Sequence, residues 1–436
     1  MDNTPNGSSR RDFLKHSTLA ALAGSAALSS GVFAGTDDTI KVGLVGCGGR
    51  GKGAARQALS TSGRVRLVAV ADAFEDRART AADEIKMSLG SEKQERVGVD
   101  ADHTFWGFDA YDKLINSGVD LVILATPPGF RPIHFEAAVN AGKHVFMEKP
   151  VAVDAPGVRQ VLAANKIAQQ KRLKVGVGLQ RHHQASYLET VKRLKDGAIG
   201  EFIAFRAYWN GGGVWEPPLS RENARSEMEY QMRNWYYYNW LCGDHIVEQH
   251  IHNLDVCNGV IGGYPIRCNG MGGRQVRTDK RYGEIWDHHF VEFEYEGGVR
   301  VFSQCRHIPN CWNSVSEWVH GSKGWADVNG SIHSQDGAWR FRGANPDPYQ
   351  VEHDDLFAAI RTDADYNEGD NGAYSTLTSI MGRMATYSGQ IIEWNEAFNS
   401  ELSLMPKTFS WDADPPVLPR ADGSYPIALP GITRAL

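Results

Sequence analysis

Residues 40–60 read IKVGLVGCGGRGKGAARQALS, an apolar β-type run, a glycine cluster and an alanine-rich helical segment without a break between them. A strand that is apolar on both faces must be covered on both, so it belongs inside a parallel sheet with helices on each side. Gly46-Cys47-Gly48-Gly49-Arg50-Gly51 fits G-x-G-x-x-G. Directly after a strand and at the start of a helix, those glycines permit a tight turn and let backbone N–H groups approach a pyrophosphate. Asp72 follows 21 residues after Gly51, at the end of the next apolar run. Its carboxylate suits an adenosine ribose diol and would repel a 2′-phosphate, so NAD is expected over NADP.

The alternation continues. RVRLVAVAD, VDLVILATPP, KHVFMEKP and KVGVGLQRH read as strands, with helices between them. This is the pattern of an α/β, doubly wound parallel sheet. Gly142 is expected at a helix C-terminus. Thr126, Pro127, Glu148, Lys149 and Gln180 fall at strand ends, the edge where such sheets hold ligands, and are expected to line the cofactor cleft with Gly46, Gly48, Gly49, Arg50, Gly51 and Asp72.

After about His182 the texture changes. Strand-like runs at 201–210, 266–276, 288–298, 299–306, 313–322 and 324–330 follow one another with Gly-containing turns and no helices between most of them. They predict an α+β domain with a large, mainly antiparallel open sheet. Helices are expected at 187–196, 244–260, 351–361 and 373–388, and the Pro-rich tail from 415 is expected to be irregular. The division is 35–180 for the nucleotide-binding domain and 181–436 for the substrate-binding and oligomerisation domain.

On a continuous helix over 244–260, His245, Glu248, His252 and Asp255 share one stripe at about 100° per residue. Glu248 would then orient His252 from position i−4 and raise its basicity. Trp235 and Tyr238, in RNWYYYNWLCGDH, offer flat faces for the C–H surface of a sugar, and Arg181 and His245 offer polar contacts to substrate oxygens. His245, Glu248 and His252 could be drawn as a zinc site, but no H-E-x-x-H spacing is present and no metal is expected. The pairs His182-His183 and His288-His289 are read as strand neighbours pointing in opposite directions.

A net charge of −6 with no long basic run argues against nucleic acid. Six cysteines form no CxxC pair, although a Cys305 to Cys311 bridge is open if the destination is oxidising. Such a destination is suggested by SSRRDFLK, whose paired arginines precede a small-residue segment, Ser17 to Ala34. Residues 1–34 resemble a twin-arginine signal, which would export a folded, cofactor-loaded protein to the periplasm and leave no membrane anchor after processing.

The glycine loop, AGKHVFMEKP and GDHIVEQHIHNLD, in that order, resemble the glucose-fructose oxidoreductase, inositol dehydrogenase and MocA (Gfo/Idh/MocA) family. The resemblance implies a Rossmann domain, a C-terminal open-sheet domain that mediates homo-oligomers, and hydride transfer on a small carbohydrate. It makes Lys149 and His252 catalytic, with Glu248 in place of the family's aspartate and His250 in place of its small glycine. The expected function is an NAD-dependent oxidoreductase of a sugar, polyol or glycoside with a tightly held, internally recycled nucleotide. The alternatives are an NAD-dependent glycosidase working through transient C3 oxidation and elimination, and a non-catalytic sugar-binding protein.

Overall fold

A computed structural model describes residues 38–436; the paired arginines and the segment to Ala34 lie outside them. β1 (Ile40–Val45), β2 (Val65–Asp72), β3 (Thr104–Trp106), β4 (Leu121–Leu124), β5 (His144–Met147) and β6 (Val175–Val177) form one sheet in the order β3-β2-β1-β4-β5-β6, every pair parallel. The order reverses between β1 and β4, and the glycine loop leaves β1 at that point. Val42, Leu44, Leu121 and Ile123 face α1 (Gly49–Ser60), while Val45, Val122 and Leu124 join the core on the other face. Both faces are therefore dry, as the unbroken apolar runs require.

α2 (Glu75–Ser88), α3 (Ala110–Ile115), α4 (Arg131–Asn140) and α5 (Ala155–Gln170) complete the crossovers. Gly142, at φ +72°, follows α4 as expected, because a left-handed residue there costs glycine least. The sheet also receives a later segment. Tyr366 carbonyl oxygen accepts from the Val175 backbone N–H at 3.1 Å, and Leu356 and Phe357 enter the core beneath α1. The chain thus returns to the first sheet after building the second.

α6 (Ala185–Lys195) leads into β7 (Phe202–Gly211). The second sheet has nine strands, including β8 (Arg267–Gly273), β9 (His288–Glu294), β10 (Arg300–His307), β11 (Ser314–Gly321) and β12 (Gly324–Asp327). Its pairs are antiparallel except β7 with β10. β9 alternates strictly between half-buried and buried residues, so one face of it packs on the core. The expected α/β domain with an antiparallel open-sheet partner is the fold that forms.

Several expectations need correction. Two short strands, β13 (Ser331–Ser334) and the edge strand β14 (Gly337–Arg340), and a two-residue strand at the other edge, β15 (Ile392–Glu393), were not expected; each is too short to show a period. Cys305 and Cys311 are free thiols: the first points into the core from β10, the second sits in an exposed turn. His182 and His183 lie on a 3-10 turn, Gln180–His183, rather than a strand. The helix expected over 244–260 is interrupted, with consequences for the site.

Candidate active site

A cleft of about 930 Å³ runs between the C-terminal ends of the parallel strands and the second domain. That is near the upper end of the roughly 300–1,000 Å³ typical of ligand sites. Its floor is the glycine loop. Gly46 has φ +98°, and a Cβ there would lie 2.5 Å from the Ala125–Thr126 backbone; at Gly51 one would lie 1.9 Å from Gly46 carbonyl oxygen. These two glycines are required by packing. Beside Gly48 and Gly49, by contrast, a Cβ would meet nothing within 4 Å. Their bare backbone lies at the N-terminus of α1, with no side-chain cap and no acidic residue in its first turn. That is the surface a pyrophosphate needs.

Asp72 lines the cleft and also braces the loop, accepting from Cys47 N at 2.8 Å and from Phe74 N at 2.9 Å. Burial pushes its carboxyl up, against the lowering by the Phe74 N–H. Arg50 lines the cleft too, but its guanidinium folds back to Glu148 and to Glu352 (3.2 Å), over the Tyr349 ring. It ties the helix start to the end of β5 rather than reaching freely toward a phosphate.

Thr126, Pro127, Glu148 and Lys149 all reach the cleft. Their strand ends are joined by a residue that the sequence reading passed over. Buried Arg131 donates to Glu148 carbonyl oxygen at 2.9 Å, Thr126 carbonyl oxygen at 2.7 Å and Thr126 Oγ1 at 3.2 Å. Burial lowers its pKa to about 10. The signal was present as an arginine three residues after the Pro127-Pro128 pair, at the first position of α4. Gln180 does not reach the cleft: its Oε1 is buried without a partner, and Gly178 lines the wall instead.

The opposite wall comes from the interrupted helix. Gly243 (φ +79°) and Asp244 (φ +71°) turn the chain left-handed, α7 is only His245–Glu248, and α8 (Ile251–Ile261) begins after a turn through Gln249 (φ −109°, ψ −48°) and His250. The expected stripe is therefore not formed. Glu248 turns to Lys149, whose Nζ donates to Glu248 carbonyl oxygen at 2.6 Å and to Oε1 at 3.1 Å. His252 lines the cleft, its ring stacked on Trp209 (centroids 5.8 Å, 20° between planes), and its Nδ1 has no partner. Burial, followed by the charges of Lys149, Arg181 and Arg50, holds its pKa well below the ordinary histidine value. Asp255 pairs with His182 at 2.7 Å, away from the cleft.

Three expected substrate contacts are corrected in the same way. His245 is buried against His289 and His307. Arg181 is buried in an ion pair with Glu317, a residue 136 positions away that no local pattern could nominate. Tyr238 is wholly buried, packed edge-on to Tyr230 and Tyr425. Trp235 does line the cleft, with its neighbour Tyr236 from the same aromatic run, joined by Trp209, Trp215 and Gln249, which sequence reasoning missed. Trp209 was detectable as an inward position of β7; Trp215 sits in irregular chain with no period to expose it.

His245, Glu248 and His252 do not assemble as a metal set. Among the described residues, the one group of at least three His, Cys, Asp or Glu side chains close enough to hold an ion is Asp244, His245 and His289. Asp244 is already occupied there: it accepts from His245 N at 2.5 Å, Trp286 N at 2.9 Å and Tyr387 hydroxyl at 2.5 Å. Burial raises its pKa, but the charge and hydrogen bond of His289, the Tyr387 hydroxyl and the Trp286 N–H together outweigh this and hold it to about 2.

The second domain also crosses the nucleotide end of the cleft. Arg233 donates to both carboxylate oxygens of Asp76 (2.9 and 2.7 Å) and lies 3.8 Å over the Phe74 ring. Trp411, from the C-terminal tail, packs on Phe74 and Phe108 at 5.2 and 4.7 Å between centroids. Trp215, Pro218 and Arg233 thereby share a cleft with Asp72 and Asp76.

Comparison with known proteins agrees with this arrangement. Residues 40–179 match the family model described as "Oxidoreductase family, NAD-binding Rossmann fold", and residues 187–327 match the GFO/IDH/MocA C-terminal domain. An inositol 2-dehydrogenase from Rhizobium meliloti is 26% identical over 354 residues, covering 78% of this chain and 94% of that protein. A 2,7-anhydro-N-acetylneuraminate hydratase from Escherichia coli is 27% identical over 227 residues, 49% of this chain and 52% of that protein, so the match spans about half of each. The crystal structure of an aldose-aldose oxidoreductase from Caulobacter crescentus shares the fold, with TM-score 0.62 at 19% identity over 81% of this chain and 99% of that one. The chain belongs to the Gfo/Idh/MocA oxidoreductase family, and its first domain is an NAD-binding Rossmann domain.

Proposed function

We propose that this protein oxidises a hydroxyl of a sugar, polyol or glycoside with an NAD that stays bound and is reset within each cycle. The carrying observation is the meeting of an ammonium and a neutral imidazole, Lys149 and His252, in the cleft floored by the bare glycine loop. Bound there, NAD supplies a two-way hydride carrier. Lys149 has three N–H donors, two of them given to Glu248, so one remains for the substrate oxygen. As that oxygen gains negative charge the ammonium stabilises it, while His252 accepts the proton. Trp209, Trp215 and Trp235 give the C–H faces of a carbohydrate ring something to stack on.

Two features support retention of the nucleotide. Arg233, Phe74 and Trp411 join the second domain and the tail to the rim of the nucleotide end. Export through a twin-arginine route to the periplasm, expected from Ser9 to Lys15, would separate the protein from any free NAD pool. Two similar proteins are an aldose-aldose oxidoreductase and a 2,7-anhydro-N-acetylneuraminate hydratase. The hydratase favours a second reading in which the same first oxidation, at C3 of a glycoside, is followed by elimination across C2, water addition and reduction.

The test gives purified protein, without added NAD, free sugars, inositols, methyl glycosides and aryl glycosides, while nicotinamide absorbance and deuterium exchange at C2 are followed. Transient nicotinamide reduction that reverts on adding a second sugar or ketone supports the first reading. Aglycone release with C2 exchange replaces it with the second. Absence of reduction, exchange and cleavage across the panel defeats both in favour of a sugar-binding protein.

A further inference from the structure

Gln249 occupies the break between α7 and α8, one residue from the carboxylate that holds Lys149 and three from His252. It lines the cleft. Its Oε1 lies 2.6 Å from His307 Nε2, which leaves the amide nitrogen as the end turned away from that ring. Which end of this amide faces the cleft is decided one residue further back. His307 Nδ1 lies 2.5 Å from Arg277 Nη2. A guanidinium has donors and no acceptor, so Nδ1 must be the lone-pair nitrogen, and the ring proton of neutral His307 sits on Nε2. That proton points at Gln249 and fixes its oxygen inward.

The start of the relay is itself anchored. Arg277 Nη1 donates to Trp286 carbonyl oxygen at 2.9 Å. Asp287 accepts from the backbone N–H groups of Gln275, Val276 and Arg277 at 2.7, 2.6 and 3.0 Å, so the loop that carries Arg277 is pinned on three consecutive residues. Burial and the Arg277 charge lower His307 to about 3, which keeps the ring neutral through the working range. Tyr236 stacks on the other side of His307 (centroids 6.1 Å, 24°), lines the cleft, and has a buried hydroxyl without a partner. One orphaned hydroxyl and the amide of Gln249 therefore lie beside one ring, both on residues that line the cleft.

We infer that Gln249 is a substrate-binding residue whose outward amide nitrogen, set by the Arg277–His307 relay, donates to a carbohydrate oxygen other than the one that loses its proton to His252. His307 is a positioning residue: it touches no substrate and acts by choosing the rotamer of Gln249. The inference rests on the carbohydrate reading above. It adds a specificity rule, that the site demands an acceptor oxygen at this place and discriminates against the analogue lacking it.

The relay is tested without any substrate by ¹⁵N-histidine NMR of the full-length holoprotein, with His307→Gln used to assign the signal. A neutral His307 with its proton on Nε2 from pH 6 to 8 is expected; the Nδ1–H form or a protonated ring overturns the relay. The contact is tested with the sugar or inositol that best reduces the bound nicotinamide and with each of its monodeoxy analogues. Gln249→Leu is expected to raise KM about 10- to 100-fold with a smaller change in kcat, and to leave one deoxy analogue unaffected. His307→Phe is expected to show the same pattern, and His307→Gln, which can still donate to Oε1, to recover part of the loss. Equal penalties of Gln249→Leu across every analogue overturn the contact. A panel with no turnover defeats the carbohydrate reading, and the NMR arm still decides the relay.

Discussion

Lys149 Nζ sits 2.6 Å from the backbone oxygen of Glu248 and 3.1 Å from its Oε1, across 99 residues of sequence and between the two domains. The carboxylate expected to serve His252 serves the ammonium instead. Glu248→Gln keeps the backbone contact and removes the charge, so kcat should fall about 10- to 100-fold with the fold intact. Lys149→Met should cost more, roughly 10²- to 10⁴-fold, and Lys149→Arg should not rescue it, because a planar fork cannot divide its donors as an ammonium does. Steady-state kinetics beside a thermal melt for each variant check this.

His252 should leave a mark on the pH profile. Its pKa is held well below the ordinary value by burial, so the proton-accepting form persists as pH falls through ~6.5. The acid limb of kcat/KM for wild type should therefore appear only below that point. His252→Asn should reduce kcat/KM by about 10²- to 10⁴-fold and abolish that limb.

The glycine loop separates two roles. Gly48→Ala and Gly49→Ala enter open space, so the melting temperature without nucleotide should hold or rise slightly while NAD affinity falls at least about tenfold. Gly51→Ala pushes a methyl into Gly46 carbonyl oxygen and should cost about 1–3 kcal/mol or more before any nucleotide binds. Denaturant melts of nucleotide-free protein, paired with titration calorimetry, distinguish them.

His134, buried between the rings of Tyr111 and Phe130, has its pKa lowered to about 3 by burial and by Arg131. The unfolded chain therefore binds the proton that the folded one refuses. Its stability contribution is full above ~6.5 and is lost as pH falls from there toward the folded value. Between pH 7 and 5 this amounts to about 2 kcal/mol. In urea melts, His134→Gln should lose less stability over that interval than wild type by about that amount.

What could be read from the chain depended on distance. The glycine loop, Lys149 and His252 were legible because strand, loop and helix follow one another locally and because the order of three motifs is itself a pattern. The Glu248–His252 stripe was not, because Gly243, Asp244 and Gln249 break a helix whose apolar spacing looks continuous. Arg181 and Tyr238 carry the right chemistry for a pocket, but Glu317, Tyr230 and Tyr425 take them into the core. The gains were equally non-local: Arg131 joins two strand ends, and Gln249 owes its role to Arg277 and His307 on other elements.

Arg233 offers a graded handle on retention of the nucleotide. The Asp76 pair is exposed enough to contribute little alone, so Arg233→Ala should speed NAD release only about three- to tenfold. The direct measurement is the nucleotide released on denaturing the natively purified, exhaustively dialysed protein, quantified against chain concentration and resolved into NAD and NADH. The account predicts close to one nucleotide per chain, whose redox state changes with the last sugar supplied and which supports turnover with none added. A dialysed protein that is empty, folded, and active only with added NAD that accumulates as NADH would contradict it.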